Sequence, residues 1–368
     1  MILVETGGAT TCESKIEGRD MKKIFLHFLT IALGLAFIGA SAAVTRAEEF
    51  YKGKTIRFVV GFAAGGGYDA YTRMVARYIS RYIPGNPPTV VENMDGAGSL
   101  IAANHIYSKI TPDGLTVGIW NSFNVFMNAM GDPGVKIDGR KIEWIGTPGK
   151  DSPACAIMGF TGLKTFDDIL RSKKPIRMGA VRGGNTVHLP TMLNQWAGAN
   201  FHIIPGYTGT SKIRIAMQSK EIDGACWTWE SMRSTARPML DAKGDDRMIP
   251  FVISDRWEDP EVKTAPLFSE VFRDEDNRRA FNTWNAANQF SRPFTLPPGT
   301  PKDRVSLLRK AFKATMEDKD YIADANKSKL IVEYVSGEEA EKLVDQIYSM
   351  PPQVKEMLNF TVRKRGQS

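Results

Sequence analysis

Apolar positions along this chain follow two rhythms. Short runs such as Ile56-Arg57-Phe58-Val59-Val60 have the length and β-branched content of strands. Longer segments place apolar residues three and four apart. Tyr71, Met74, Val75, Tyr78, Ile79, Tyr82 and Ile83 trace one face of a helix. Between these two segments lies Gly61-Phe62-Ala63-Ala64-Gly65-Gly66-Gly67, a glycine-rich turn. Asp69 stands where an N-cap is expected, and Pro84-Gly85 stops the helix.

The same plan recurs. Thr89-Val90-Val91 reads as a strand, Gly96-Ala97-Gly98 as a turn, and Ser99 to Lys109 as a helix. Leu115 to Trp120 is a further strand after the turn Thr111-Pro112-Asp113-Gly114. Thr165 and Asp168 have the spacing of a capping box, as do Ser336 and Glu339. Ile176 to Val181 is a strand that runs through Gly183-Gly184-Asn185-Thr186 into a helix near Val187 to Trp196. Val305, Leu308, Phe312 and Met316 mark a C-terminal helix. Strands alternating with helices predict α/β architecture. Two lobes, each offering a glycine turn, would place those turns across a cleft.

The N-terminal stretch breaks both rhythms. Met21-Lys22-Lys23 precedes an apolar run from Ile24 to Gly39, then Ala40-Ser41-Ala42-Ala43 and Arg46-Ala47. Charge, apolar core and small residues in that order read as a secretory signal peptide over 21–47, cleaved after Ala42 or Ala47. Ile24 to Val44, 21 residues, is also long enough to stay as an uncleaved anchor, but its small-residue end favours cleavage. Residues 1–20 precede a full signal peptide and read as an untranslated or misassigned start. Secretion follows as the expectation.

Composition narrows the function classes. In 368 residues there are 48 Lys and Arg against 41 Asp and Glu, a net charge of +7 spread along the chain. The basic excess mildly favours anionic partners. No stretch interleaves basic and aromatic residues as nucleic-acid binders do. Three Cys and four His leave little for a metal or iron–sulfur centre, and no cofactor is implied. Cys155 and Cys226 read equally as a disulfide or as two buried thiols.

Candidate chemistry concentrates at the glycine turns. A strand ending in glycines and opening a helix exposes backbone N–H groups at the positive end of the helix dipole. Such a turn suits a carboxylate or phosphate, and also occurs where a helix merely packs on a sheet. The glycines at 61, 65, 66 and 67 match neither the dinucleotide fingerprint nor a phosphate-binding P-loop. Asp69 reads as a cap before it reads as a ligand contact. His188 follows the second turn and either faces the cleft or supports the loop. Trp227 and Trp229 alternate, so on a strand they would share a face, as core or as an aromatic wall. No nucleophile–base pair or metal motif appears, so no catalytic residue is assigned.

Several segments, taken in order, resemble the extracytoplasmic receptors of tripartite tricarboxylate transporters, the Bug-type solute-binding proteins. These are Gly65-Gly66-Gly67-Tyr68-Asp69 with Arg73, Glu92 to Gly98, Thr111 to Thr116, and Gly183 to Leu189. Tyr207-Thr208-Gly209, Glu221-Ile222-Asp223 and Pro297 to Pro301 are similar more loosely. Ala63 and Ala64 stand where that family often has Pro, and Thr186 where it usually has Ser.

The resemblance implies a two-lobe periplasmic binding protein fold of type II-like form. Lobe one would comprise 48–152 and 270–368, and lobe two 153–269, joined by a hinge of two crossings with the ligand cleft between. It implies a monomeric receptor, not an enzyme, that closes on a small organic acid and delivers it to membrane permease subunits. A receptor feeding a sensor kinase, or a secreted α/β enzyme, are the other readings. The ligand-binding residues expected are Phe62, Ala64, Gly65, Gly66, Gly67 and Asp69 on the first loop and Ser122 after the Leu115–Trp120 strand. On the second side they are Gly183, Gly184, Asn185, Thr186 and His188, with Tyr207, Asp223 and Trp227.

Overall fold

A computed structural model describes residues 1–2 and 49–361. The expected signal peptide therefore lies outside the described residues. From residue 49 onward the described chain belongs to one unit, Glu48–Ser368. Among the described residues no helix is long and apolar enough to cross a membrane.

The strands form two sheets. The first is built from β1 (Ile56–Val60), β2 (Thr89–Asn93), β3 (Thr116–Ile119) and β4 (Glu143–Thr147). The second takes β5 (Pro153–Met158), β6 (Ile176–Ala180), β7 (Phe201–Pro205), β8 (Gly224–Thr228) and β9 (Met248–Ile253). The chain then returns to the first sheet with β10 (Phe294–Leu296) and β11 (Val335–Ser336). Strand orders are β11-β4-β10-β3-β1-β2 and β7-β6-β8-β5-β9.

In each sheet the parallel strands are the ones joined through helices. β1 pairs parallel with β2 and β3, and β6 with β7 and β8. The remaining pairs run antiparallel: β10 against β3 and β4, β11 against β4, and β5 against β8 and β9. The strand and helix rhythms of the sequence reappear here, with the helix after the first glycine turn at Gly67–Ile79 and that after the second at Asn185–Ala197. Both expected capping boxes are present, at Thr165 and Ser336.

Two readings shift. Asp69 is not the N-cap. The helix begins at Gly67, with Gly66 in extended conformation as its cap. Asp69 sits inside the first turn, and its carboxylate accepts from Gly65 N–H at 2.9 Å, Arg73 Nε at 2.9 Å and Asn93 Nδ2 at 3.0 Å. Trp227 and Trp229 do not share a strand face either. β8 ends at Thr228, and Trp229 opens the next helix. Trp229 is fully buried and donates Nε1 to Asp259 Oδ2 at 2.9 Å.

Cys155 and Cys226 form a disulfide between directly paired residues of β5 and β8. The chain passes between the sheets after Thr147 and again after Ile253. A third link is added near the C-terminus. Phe360 packs edge-on against Trp196 of the Asn185–Ala197 helix, with centroids 5.8 Å apart, and His188 of the same helix bonds the backbone of Thr361.

Candidate functional site

The two glycine turns meet at one cavity, in which the volume open to the centre of a water molecule is about 70 Å³. From the first half it is lined by Phe62, Gly66, Gly67 and Tyr68, and from the second by Gly183, Asn185, Thr186 and Trp227. Both helices that open here are long enough to carry a dipole. Each N-terminus presents about half a positive charge and first-turn N–H groups that lack partners within the helix. Thr186 holds its loop from within, its hydroxyl accepting from Val181 N–H at 2.9 Å and donating to Val181 C=O at 2.8 Å.

The glycines are required by close approach. A Cβ on Gly67 would lie 2.6 Å from Ser231 Oγ, and one on Gly184 2.7 Å from Asn121 Nδ2. Gly183 and Gly184 both have φ near +70° (73° and 72°), where only glycine sits without strain.

The floor of the cavity is a buried ion pair. Asp151, between β4 and β5, accepts from Arg292 Nη1 and from Ser291 Oγ. Arg292 precedes β10, so the pair bridges the two passages between the sheets. Both side chains are at most 2% exposed. Arg292 Nη2 also donates to Thr228 Oγ1 at 3.0 Å, and the guanidinium lies over the rings of Tyr71 and Tyr68 at 4.6 and 5.6 Å. Arg292 holds φ at +59°, a left-handed conformation unusual for a non-glycine residue. Nearby, Glu230 accepts from Ser152 N–H through both oxygens, at 3.0 and 2.9 Å. Burial first, and the Asp151 charge next, push its pKa up to about 8.

The halves also touch around the cavity. Arg214 Nη2 donates to Gly65 C=O at 2.9 Å, Ala63 N–H to Thr208 C=O at 3.4 Å, and Asn185 Nδ2 to Asn288 Oδ1 at 3.1 Å.

Of the residues expected from sequence, Phe62, Gly66, Gly67, Gly183, Asn185, Thr186 and Trp227 line the cavity. The others stand apart from the lining. Ala64 and Gly65 are exposed, Asp69 braces the first loop, and Gly184 caps the second helix. Ser122 donates to Ala287 C=O at 2.8 Å and ties β3 to the second passage. His188 is buried, accepts from Trp284 Nε1 at 3.0 Å, and is held uncharged by burial, its pKa pulled down to about 3. Tyr207 donates to Glu221 Oε1 at 2.6 Å. Asp223 pairs with Arg177 of β6 at 2.6 Å.

The sequence reading missed Asn121 and Phe123, which follow the carboxyl end of β3. It also missed Asp151, Ser231 and Arg292. For Asn121 the signal was there, since ligands in open α/β sheets sit beyond strand carboxyl ends. For Arg292 the only hint is a lone cation in the apolar stretch Phe290 to Phe294. Among the described residues no cluster of His, Cys, Asp or Glu could hold a metal.

No protein-family model matches the chain. The UPF0065 protein in the gbd 5′ region of Cupriavidus necator is 39% identical over 88 residues, 24% of this chain and 25% of that protein. The match thus spans about a quarter of that curated relative. Among solved structures, a periplasmic transporter superposes with TM-score 0.65 at 23% identity, over 84% of this chain and 97% of the other. The periplasmic binding protein BugD gives 0.66 at 19% identity, over 84% and 98%. MatC from Rhodopseudomonas palustris, solved with bound malate, gives 0.64 at 17%, over 83% and 99%. The chain has the two-lobe α/β fold that these periplasmic binding proteins share.

Proposed function

We propose that this protein is a periplasmic solute receptor of the Bug type. It captures a small organic acid by cleft closure and hands it to a tripartite tricarboxylate-type permease. The observation that carries this reading is the meeting of two helix N-termini, one from each half, in a single small cavity. In that cavity Asp151 and Arg292 cancel, so the two helix ends leave a net field of about one positive charge. That is the complement of a carboxylate.

The lobes would be 48–152 with 270–368, and 153–269, hinged where the Asp151–Arg292 pair sits. Only the closed form brings both loops onto the ligand, so the ligand stabilises closure by its differential affinity for that form. The fold of BugD and MatC, and the malate in MatC, support the same reading. The Cys155–Cys226 disulfide is in keeping with an oxidising compartment.

A thermal-shift screen against di- and tricarboxylates, amino acids and aromatic carboxylates tests it. An acid at about 100 times its dissociation constant adds about 2.7 kcal/mol and shifts the melting point by several degrees. The absence of any shift with folded protein would count against a carboxylate receptor.

A further inference from the structure

The cavity carries four buried polar atoms that no protein group satisfies; three of them can donate, and the fourth, Asn185 Oδ1, accepts. Trp227 Nε1, Ser231 Oγ, Arg292 Nε and Asn185 Oδ1 are all buried there without a hydrogen-bond partner. Trp227 and Ser231 are 3% and 4% exposed, and Arg292 is 1% exposed. Indole and guanidinium nitrogens only donate, and a serine hydroxyl can donate. Together with the first-turn N–H groups, the cavity wall is rich in donors.

Carboxylates, by contrast, are already in use. Asp151 is the carboxylate in the cavity lining, and its two oxygens are taken by Arg292 and Ser291. Glu230 is bonded to the Ser152 N–H, and Asp69 is turned toward Gly65, Arg73 and Asn93. A ligand ammonium would have to share Asp151 with a guanidinium of its own sign. Burying it there would cost far more than it regained.

Resting on the receptor reading above, we infer that the ligand is an acid without an ammonium group, carrying a further acceptor such as a second carboxylate, keto or ether oxygen. The Trp227 indole N–H and the Ser231 hydroxyl take that acceptor, and they set specificity against amino acids. Phe62, Tyr68 and Phe123 supply the apolar wall along its body.

The test uses matched pairs that differ only in the amino group: succinate with aspartate, glutarate with glutamate, and phenylpropionate with phenylalanine. Titration calorimetry on the intact protein should show the amino-free member of a binding pair at least tenfold tighter. Trp227→Phe and Ser231→Ala should each weaken the best acid about five- to tenfold. Melting temperatures of the free variants should stay near that of the parent, which separates lost recognition from misfolding. An amino acid bound as tightly as its partner, or tighter, would overturn this inference and leave the receptor reading standing. Unchanged affinity in both variants would do the same. Binding of neither member of any pair would overturn the receptor reading itself.

Discussion

The Arg292 guanidinium is ion-paired with Asp151 across the two passages that link the sheets, and both side chains are buried. One partner comes from the segment leaving β4, the other from the segment entering β10. The pair therefore fixes the junction of the halves at the point where the cavity floor lies. Removing one member strands the other charge in a medium that cannot solvate it. Asp151→Asn should lower unfolding stability by about 3–5 kcal/mol. Urea titration checks this, and a loss under 1 kcal/mol would show that the pair is not what holds the junction.

Gly66 is the cap of the first-loop helix, with φ at −88°, so a side chain there is tolerated by the backbone. Asp is itself a good N-cap. Gly66→Asp should keep the melting temperature while its carboxylate takes the N–H groups that a ligand would use. Loss of affinity by a hundredfold or more is expected for any acid found to bind. Retention of parental affinity would move the anion site away from this loop.

Arg214 reaches from the second half to Gly65 C=O at 2.9 Å, a contact that the proposed opening of the cleft would break. Arg214→Ala should weaken ligand binding about three- to tenfold, the worth of roughly 1 kcal/mol of charge-assisted hydrogen bonding. The effect should appear as faster dissociation in stopped-flow fluorescence. Small-angle scattering of the free variant should show a larger radius of gyration. No change in either quantity would mean that this bond does not help hold the cleft shut.

Glu230 keeps its proton in the folded protein to about pH 8, because burial and the Asp151 charge oppose ionisation. The unfolded chain releases that proton near pH 4.5, the ordinary value for Glu. Between those values the folded state binds more protons, so stability from this group is complete below about 4.5 and falls as pH rises toward 8. Glu230→Gln should flatten that slope. Melting temperature against pH, compared between parent and variant, decides it: parallel curves would place the titration elsewhere.

Cys155 and Cys226 are 71 residues apart in sequence and close a long loop. In the chain-entropy description such a link contributes about 4 kcal/mol. The Cys155→Ala, Cys226→Ala double variant should lose most of that in urea titration. A reductant should shift the parent toward the same midpoint. An unchanged midpoint in the double variant would show that the bond does not contribute to stability.

Much of the fold was legible because it rests on local rules. The Tyr71-to-Ile83 stripe, the capping boxes at Thr165 and Ser336, and the glycine turns each carry their own signal in a few adjacent residues. That glycine turns would line a cavity was legible for the same reason, down to Gly66, Gly67, Gly183 and Thr186. Its floor was not. Asp151 and Arg292 are 141 apart in sequence, and their pairing exists only once both passages are folded. His188, Tyr207 and Asp223 lie outside the cavity lining, since polar residues near a motif also serve to brace it. Each is engaged with a neighbour, Trp284, Glu221 or Arg177.

The packing of Phe360 on Trp196 has a mechanical consequence. Two chain passages alone leave one half free both to swing and to rotate like a screw against the other. A third point of attachment, made by the C-terminal segment, would oppose the rotation more than the swing. Were the halves to hinge as proposed, the stroke would be a single-axis movement, and the faces offered to a partner would stay in fixed angular register as the mouth shut.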